Sequence, residues 1–425
     1  MLTLSIIIPE IGADLDAIEE DSLAIDSGQF TNSKTSLEKK ETQRQVRIVE
    51  HRLSTLELEK LKQEIGIWEE NKNYNQKING YGTGLRPPTD AEWIDIAEQV
   101  QVVEDIILLN QADTQPTSVD NSIKPWFPPI GNQGSEGSCV AWAVGYYVKT
   151  FQEAKEHAWN LSMAQWEGIW PGYPNPEYQD RIISPDFLYH LINGGVDEGA
   201  YYYDAINLVC SIGVCSWEKM PYDQVDHVGW PSEEAWKEAP LFRGNSSSYL
   251  YMSPQTDDDI QNLKNWIASE NLAVISIDAY QYENLTSNDV WTLDNYINPN
   301  TNHANTIVGY DDAFEYSENG EIHYGAFKIA NSWGIGTWEN IDDGYYWISY
   351  EAMKQRINSC WFYADLLDYE PELVASFSID HSKRNECTIN VGIGDHVDPD
   401  QTKSFSEFVD GGTQPFCTNN ILFDI

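Results

Sequence analysis

The chain has 425 residues and a mass of 48.4 kDa, room for two or three domains of ordinary size. Its 68 Asp and Glu against 25 Lys and Arg give a formal net charge of -43, which argues against nucleic acid as a partner and against attraction to an anionic membrane. With 41% hydrophobic residues, 16 Trp and 24 Tyr, the chain can build large cores, so wholesale disorder is excluded as well.

Met1 to Ile8 is apolar but short and lacks a basic start, so it reads as a weak or truncated signal peptide at best, and an extracellular or secreted location is expected on that ground. Residues 9–36 are acidic and poor in large apolar side chains. From Ser36 the spacing predicts an amphipathic helix: Val46, Val49, Leu53 and Leu56 fall at steps of 3, 4 and 3, and Leu58, Leu61, Ile65 and Trp68 repeat them. Residues 34–77 carry 10 basic and 8 acidic side chains, a stretch that is not acidic within an acidic chain. Gly80-Tyr-Gly-Thr-Gly-Leu-Arg-Pro-Pro88 reads as a loop, and Thr89 with Glu92 as a capping box opening a helix over roughly 90–108. Residues 111–129 are loop-like.

A helix is expected from Cys139 to about 156, and one or two more over 184–213, broken by Gly194-Gly195 and Gly199. After Lys264 strands dominate: 273–279, 305–310, 326–330 and 344–349, with Asn319-Gly320 as a type I′ hairpin turn. Asp257-Asp-Asp259 reads as the charged start of a helix and not as a metal site. The last 50 residues read as a small β piece. A helical half thus precedes a strand half, an α+β architecture with a cleft between the two. No run of 18 apolar residues exists, so no membrane span is expected. The six cysteines show no zinc-type spacing; Cys387 and Cys417 share the C-terminal piece, where an oxidising compartment would favour a bridge.

Cys139 opens a helix behind Gly-Ser-Glu-Gly-Ser, where backbone N–H groups favour a thiolate and small residues admit a substrate backbone. A lone Cys there is also an ordinary buried hydrophobe. His303 stands at the entry of a strand, and Asn331 ends the next long strand, placed to accept the imidazole N–H while Trp333 shields that bond from water.

Taken together, Gln133-Gly-Ser-Glu-Gly-Ser-Cys139-Val-Ala-Trp-Ala143, Asn302-His303-Ala304 with Val308-Gly-Tyr310, and Asn331-Ser-Trp-Gly334 resemble the papain-like cysteine peptidases. The resemblance covers roughly residues 116–368, about 60% of the chain. It implies a two-lobed fold with a peptidase domain over 116–370, an N-terminal helical region over 1–115 and a β-rich extension over 371–425. It also implies peptide-bond hydrolysis through a thioester, with peptide or protein substrates and with neither metal nor organic cofactor. Cys139 would be the nucleophile and His303 its ion-pair partner and general acid/base. Asn331 would orient His303, and Gln133 would form the oxyanion hole with the Cys139 N–H. Gly199 would hold the substrate strand, Ser276 would line a shallow, mildly polar pocket, and Trp333 would flank the substrate. Glu136 stands where many members have a disulfide cysteine, and Val140 replaces the usual Trp. Residues 1–115 take the place of an inhibitory pro-segment, so intramolecular inhibition is expected, although the usual pro-segment signature is not recognisable. Two other readings stand beside this one: a non-hydrolytic binding or surface-interaction module, and a peptidyl or acyl transferase.

Overall fold

The computed structural model describes residues 2–8, 46–66, 76–109, 115–246, 249–285, 289–297, 300–336, 341–394, 399–405 and 412–424. Two lobes divide the apolar side chains between two cores. The first is helical. Its centre is a continuous helical run, Cys139–Ala141, then a π-helical stretch Trp142–Lys149, then Thr150–Glu156, flanked by the helices Pro185–Ile192 and Tyr202–Ser211. Ser184 caps Pro185–Ile192 by accepting from Phe187 N, with Pro185 at the first helical position, where its missing N–H costs nothing.

The second core lies in the sheet lobe. Strands Ala273–Ile277, His303–Glu318, Glu321–Ala330 and Tyr345–Ser349 follow the expected positions closely and lie in one large antiparallel-dominated sheet. Asn319 and Gly320 turn its central hairpin with φ of 53° and 79°, the two positive values that a type I′ turn requires. Thr256 and Asp259 form a reciprocal capping box on the helix Asp257–Ala268, so the Asp triplet is a helix start, as expected. The α+β class and the helical lobe set against a β-rich lobe are as expected.

The N-terminal region departs from its prediction. Val46–Arg52 is a strand, and the helix begins only at Thr55 and runs to Gly66. The 3-4-3 spacing was fortuitous: V-R-I-V alternates, and Val46 and Ile48 pack on the sheet-lobe core. The helix start was marked by Ser54 and Glu57, each side chain bonding the other's backbone N–H at 3.3 and 2.8 Å. Residues 36–45 and Trp68 of the predicted helix lie outside the described residues. The second predicted helix keeps its capping box but ends at Gln99, and Gln101–Leu108 is a strand. This strand pairs antiparallel with Val46–Arg52 and parallel with Leu250–Met252, so both belong to the main sheet.

The apolar N-terminal stretch forms a strand, Leu2–Ile8, parallel to Cys387–Gly394. The C-terminal piece packs on the helical lobe: Phe423 meets Trp236 and Phe405, and Asp424 pairs with Arg243. Cys387 and Cys417 are free thiols, like the other four cysteines, so the bridge that an oxidising compartment would favour is not formed here. Among the described residues no helix is long and apolar enough to cross a membrane.

Candidate active site

Cys139, His303, Asn331 and Gln133 meet where the two lobes touch, and none of them has measurable solvent exposure. Cys139 is the first residue of the central helical run. The backbone of Ala304, the neighbour of His303, faces its thiol. His303 opens its strand, and its Nε2 lies 2.8 Å from Asn331 Oδ1. An amide oxygen can only accept, so Nε2 carries the proton and Nδ1 is left as the basic nitrogen. Nδ1 has no hydrogen-bond partner among the described residues. Trp333 covers the imidazole with ring centroids 4.8 Å apart, as expected for a residue shielding the His303–Asn331 bond.

Residues that the sequence reading did not single out hold this arrangement. Asn305, two residues beyond His303 on the strand, donates its amide to Asn331 Oδ1 at 2.9 Å. Its own Oδ1 accepts from Tyr282 and Tyr346 hydroxyls at 2.5 and 2.7 Å. The signal was present: side chains at i and i+2 on a strand share a face. Ser332 Oγ donates to Gln133 Oε1 at 2.6 Å, and Gln133 N donates to Ser332 O at 2.8 Å, so the two lobes are joined at the site. Tyr147, inside the π-helical stretch, donates its hydroxyl to Asn331 O at 2.8 Å and accepts from Gly131 N at 3.2 Å.

The cleft is occupied by the chain itself. Residues 81–86 run through it, bonded along both walls. Gly82 N donates to Gly134 O at 2.8 Å, Gly84 N and Leu85 N both donate to Asn302 O at 3.1 Å, and Ala200 N donates to Gly84 O at 2.9 Å. Arg86 N then donates to Ala200 O at 3.2 Å, and Leu85 pairs in parallel sense with Ala200. Gln133 Nε2 donates to Gly82 O at 3.1 Å and to Glu136 O at 2.9 Å, and the indole N–H of Trp333 also donates to Gly82 O, at 3.1 Å. Of the two donors expected to serve an oxyanion, the Gln133 side chain is thus engaged by residue 82. Tyr81 stacks on Trp333 at 5.2 Å and meets Trp170 edge-on at 6.2 Å.

The fit is close enough to demand glycine. A Cβ on Gly82 would lie 2.1 Å from Glu136 O, and one on Gly84 would lie 1.9 Å from Gly137 O. Beyond the cleft Arg86 is clamped by Glu92 at 2.6 Å and Asp204 at 2.9 Å.

Occlusion sets the electrostatics. Burial pushes the Cys139 thiol up to about 12, against the backbone groups of Ala304, Val140 and Leu85 that favour its ionised form. Burial also drives His303 down to about 4, opposed by its bond to Asn331. Thiol and imidazole are therefore both neutral here, not the ion pair expected from sequence. Glu136 does not supply the expected opposing charge either, since burial and then Asp186 push its carboxyl well above the usual range.

The substrate-binding expectations divide. Gly199 lies against the bound segment, with Gly84 O only 2.0 Å from where its Cβ would be, but the main-chain bonds are made by Ala200. Ser276 pairs with Ala304 in the sheet, beside His303, and its hydroxyl is spent on Ser359 Oγ at 2.6 Å. Trp333 forms the wall against Tyr81.

No family model and no curated protein matches the sequence. Solved structures of papain-like cysteine proteases do. The chain is similar to xylellain, a cysteine protease from Xylella fastidiosa, at 22% identity and a TM-score of 0.44, over 67% of this chain and 96% of that one. It is similar to procathepsin L2 proteinase from the larval midgut of Tenebrio molitor at 19% identity and a TM-score of 0.45, over 73% and 90% of the two chains. It is also similar to bromelain protease from Ananas comosus in complex with the E64 inhibitor, at 17% identity and a TM-score of 0.40, over 60% and 100%.

Proposed function

We propose that this chain is a cysteine peptidase held in a latent form by residues 81–86. The observation that carries the reading is the occupant itself. A cleft that binds a peptide segment by its main chain, beside a thiol flanked by an oriented histidine, is built for peptide substrates. In the opened enzyme His303 Nδ1 takes the Cys139 proton, and the thiolate attacks the substrate carbonyl. The carbonyl oxygen, now negative, is held by Gln133 Nε2 and the Cys139 N–H, the donors being worth about 3–4 kcal/mol each by analogy with measured oxyanion holes. His303 returns the proton to the leaving amine, and water then cleaves the thioester. Asn331 keeps the imidazole in the productive tautomer throughout.

Intact mass after exposure to an epoxysuccinyl thiol-trapping reagent tests this. Wild type, Cys139→Ala, His303→Ala and the opened variant Gly84→Ala are compared, with product sequencing from a peptide mixture. A single adduct on Cys139 that requires His303 and grows in Gly84→Ala supports the reading. A folded, opened protein with neither adduct nor cleavage would favour a binding module, and products formed only with added amine would favour a transferase.

A further inference from the structure

Beneath the loop that carries Gln133, three side chains meet that peptide hydrolysis does not use. Glu136, Asp186 and His190 each offer one ligand atom, and these atoms lie within 4.8 Å of one another. Glu136 is fully buried, and Asp186 and His190 are 1% and 2% exposed. Asp186 Oδ1 stands 3.7 Å from His190 Nε2. Neither Glu136 carboxylate oxygen, nor Asp186 Oδ1, nor His190 Nε2 has a hydrogen-bond partner among the described residues.

The hydroxyls beside Glu136 are those of Tyr222 and Ser138, and each also has a partner elsewhere. His190 Nδ1 lies 2.9 Å from Gly229 O, which can only accept, so a neutral His190 turns a bare Nε2 lone pair toward the carboxylates. Tyr222 donates to Gln133 O at 2.7 Å, and Ser138 Oγ, 2.7 Å from the Tyr222 oxygen, is left to donate to it. Tyr189 donates to Asp197 Oδ1 at 2.8 Å, and Asp186 Oδ2 already accepts from Asp223 N at 2.8 Å. Four buried polar atoms therefore face one another with no hydrogen bond formed, an arrangement costly enough that it calls for a cation or for protons on the carboxyls. Protons alone would neutralise the carboxyls, but with Asp186 Oδ1 3.7 Å from His190 Nε2 a proton on that oxygen would leave the imidazole lone pair unsatisfied. A dication would satisfy all three side chains.

We propose that Glu136, Asp186 and His190 form a site for a divalent transition metal, zinc by its donor set of one imidazole and two carboxylates. Asp186 and His190 stand four residues apart on one face of the helix Pro185–Ile192, and Glu136 comes from the loop above. A carbonyl on the far nitrogen of the imidazole is the usual support of a metal-binding histidine. The ion ties the loop 131–138 to that helix. Because Gln133 Nε2 is held by Glu136 O, it braces the oxyanion donor indirectly; this role, unlike the site, rests on the peptidase reading.

The test uses the full chain as Cys139→Ala, which removes the thiol beside His303 as a competing ligand. Zinc, manganese, calcium and magnesium are added separately, and retained metal is counted by native mass spectrometry after gel filtration. One retained equivalent of zinc, with a raised Tm, is expected. His190→Ala should weaken zinc binding more than about 10-fold, whereas His157→Ala, in the partly exposed Glu153, Glu156 and His157 group, should change nothing. Absence of a retained equivalent, or retention unchanged in His190→Ala, overturns the proposal. Should that variant fail to fold, cobalt bound to the parent decides: a spectrum without thiolate charge transfer supports the site, and one with it assigns the metal elsewhere. Glu136→Gln separates the protonated alternative. A variant that melts higher than its metal-treated parent, with no zinc bound by either protein, shows that a proton alone fills the cluster.

Discussion

Gln133 donates its side-chain amide to the carbonyl of Gly82, 3.1 Å away, a residue 51 positions earlier in the chain. On the proposed reading a backbone carbonyl of the protein itself thus stands at the donor that a substrate carbonyl would use, so that inhibition and catalysis would draw on the same N–H.

Gly82→Ala and Gly84→Ala should open the cleft. Each Cβ would be driven into backbone oxygen, at 2.1 and 1.9 Å, where no flexible side chain can yield. Overpacking of this kind costs about 1–3 kcal/mol, so Cys139 should be trapped roughly 5- to 150-fold faster in either variant. Unchanged trapping rates would mean that the segment does not limit access.

Within an opened background, Gln133→Ala should lower kcat by about 100- to 1,000-fold while leaving epoxysuccinyl trapping of Cys139 measurable. His303→Ala should abolish both. Asn331→Ala should fall between the two, with its loss largest where the imidazole must be held in one tautomer. A Gln133 variant with full kcat would remove it from the oxyanion hole.

Acid should open the latent form. His303 is held near 4 by burial and would return toward 6.5 on exposure, so the open form binds more protons between these values. The advantage of the closed form is full above 6.5 and shrinks by about 1.4 kcal/mol per unit as pH falls toward 4. Glu92 acts in the same sense: burial raises its carboxyl, but Arg86 more than offsets this, and the clamp weakens once pH falls below the usual carboxylate range. The trapping rate of wild type should climb across this window, and Arg86→Ala should shift the climb to higher pH. A flat profile would count against both.

A chain beginning at residue 116 should be less stable than the full protein. It would lose Leu53, Leu61, Ile96, Val103 and Ile106, all buried in the two cores, each worth about 1.5–3 kcal/mol. Denaturant unfolding of the two forms checks this: a clearly lower midpoint is expected for the shortened chain.

The meeting of Cys139, His303 and Asn331 was legible in the sequence because they sit at element boundaries that leave local marks: a glycine-rich turn before Cys139, a strand entry at His303, a strand exit at Asn331. The occluding segment was not. Its glycines read as a loop, and the close approach that requires them involves residues 134–137 and 199–200, which no local pattern connects to 82 and 84. The strands at 46–52 and 101–108 were missed because their alternation is short and joins apolar helical stretches without a turn residue. Ser54 and Glu57 marked the first junction. The Glu136 cluster was equally hidden, since its acidic loop residue and its helical pair lie 50 positions apart.

Because the residues after the occupant are woven into the main sheet at Gln101–Leu108, segment 81–86 behaves as a ligand on a short tether. Its local concentration is on the order of millimolar, whatever the concentration of the protein. A free peptide copying 80–88 would have to reach such levels to compete, and would be a poor inhibitor in solution. By the same reasoning a single cut before residue 80 would leave the occupant attached, and its release by cleavage would take a second cut on its far side, between the cleft and that strand.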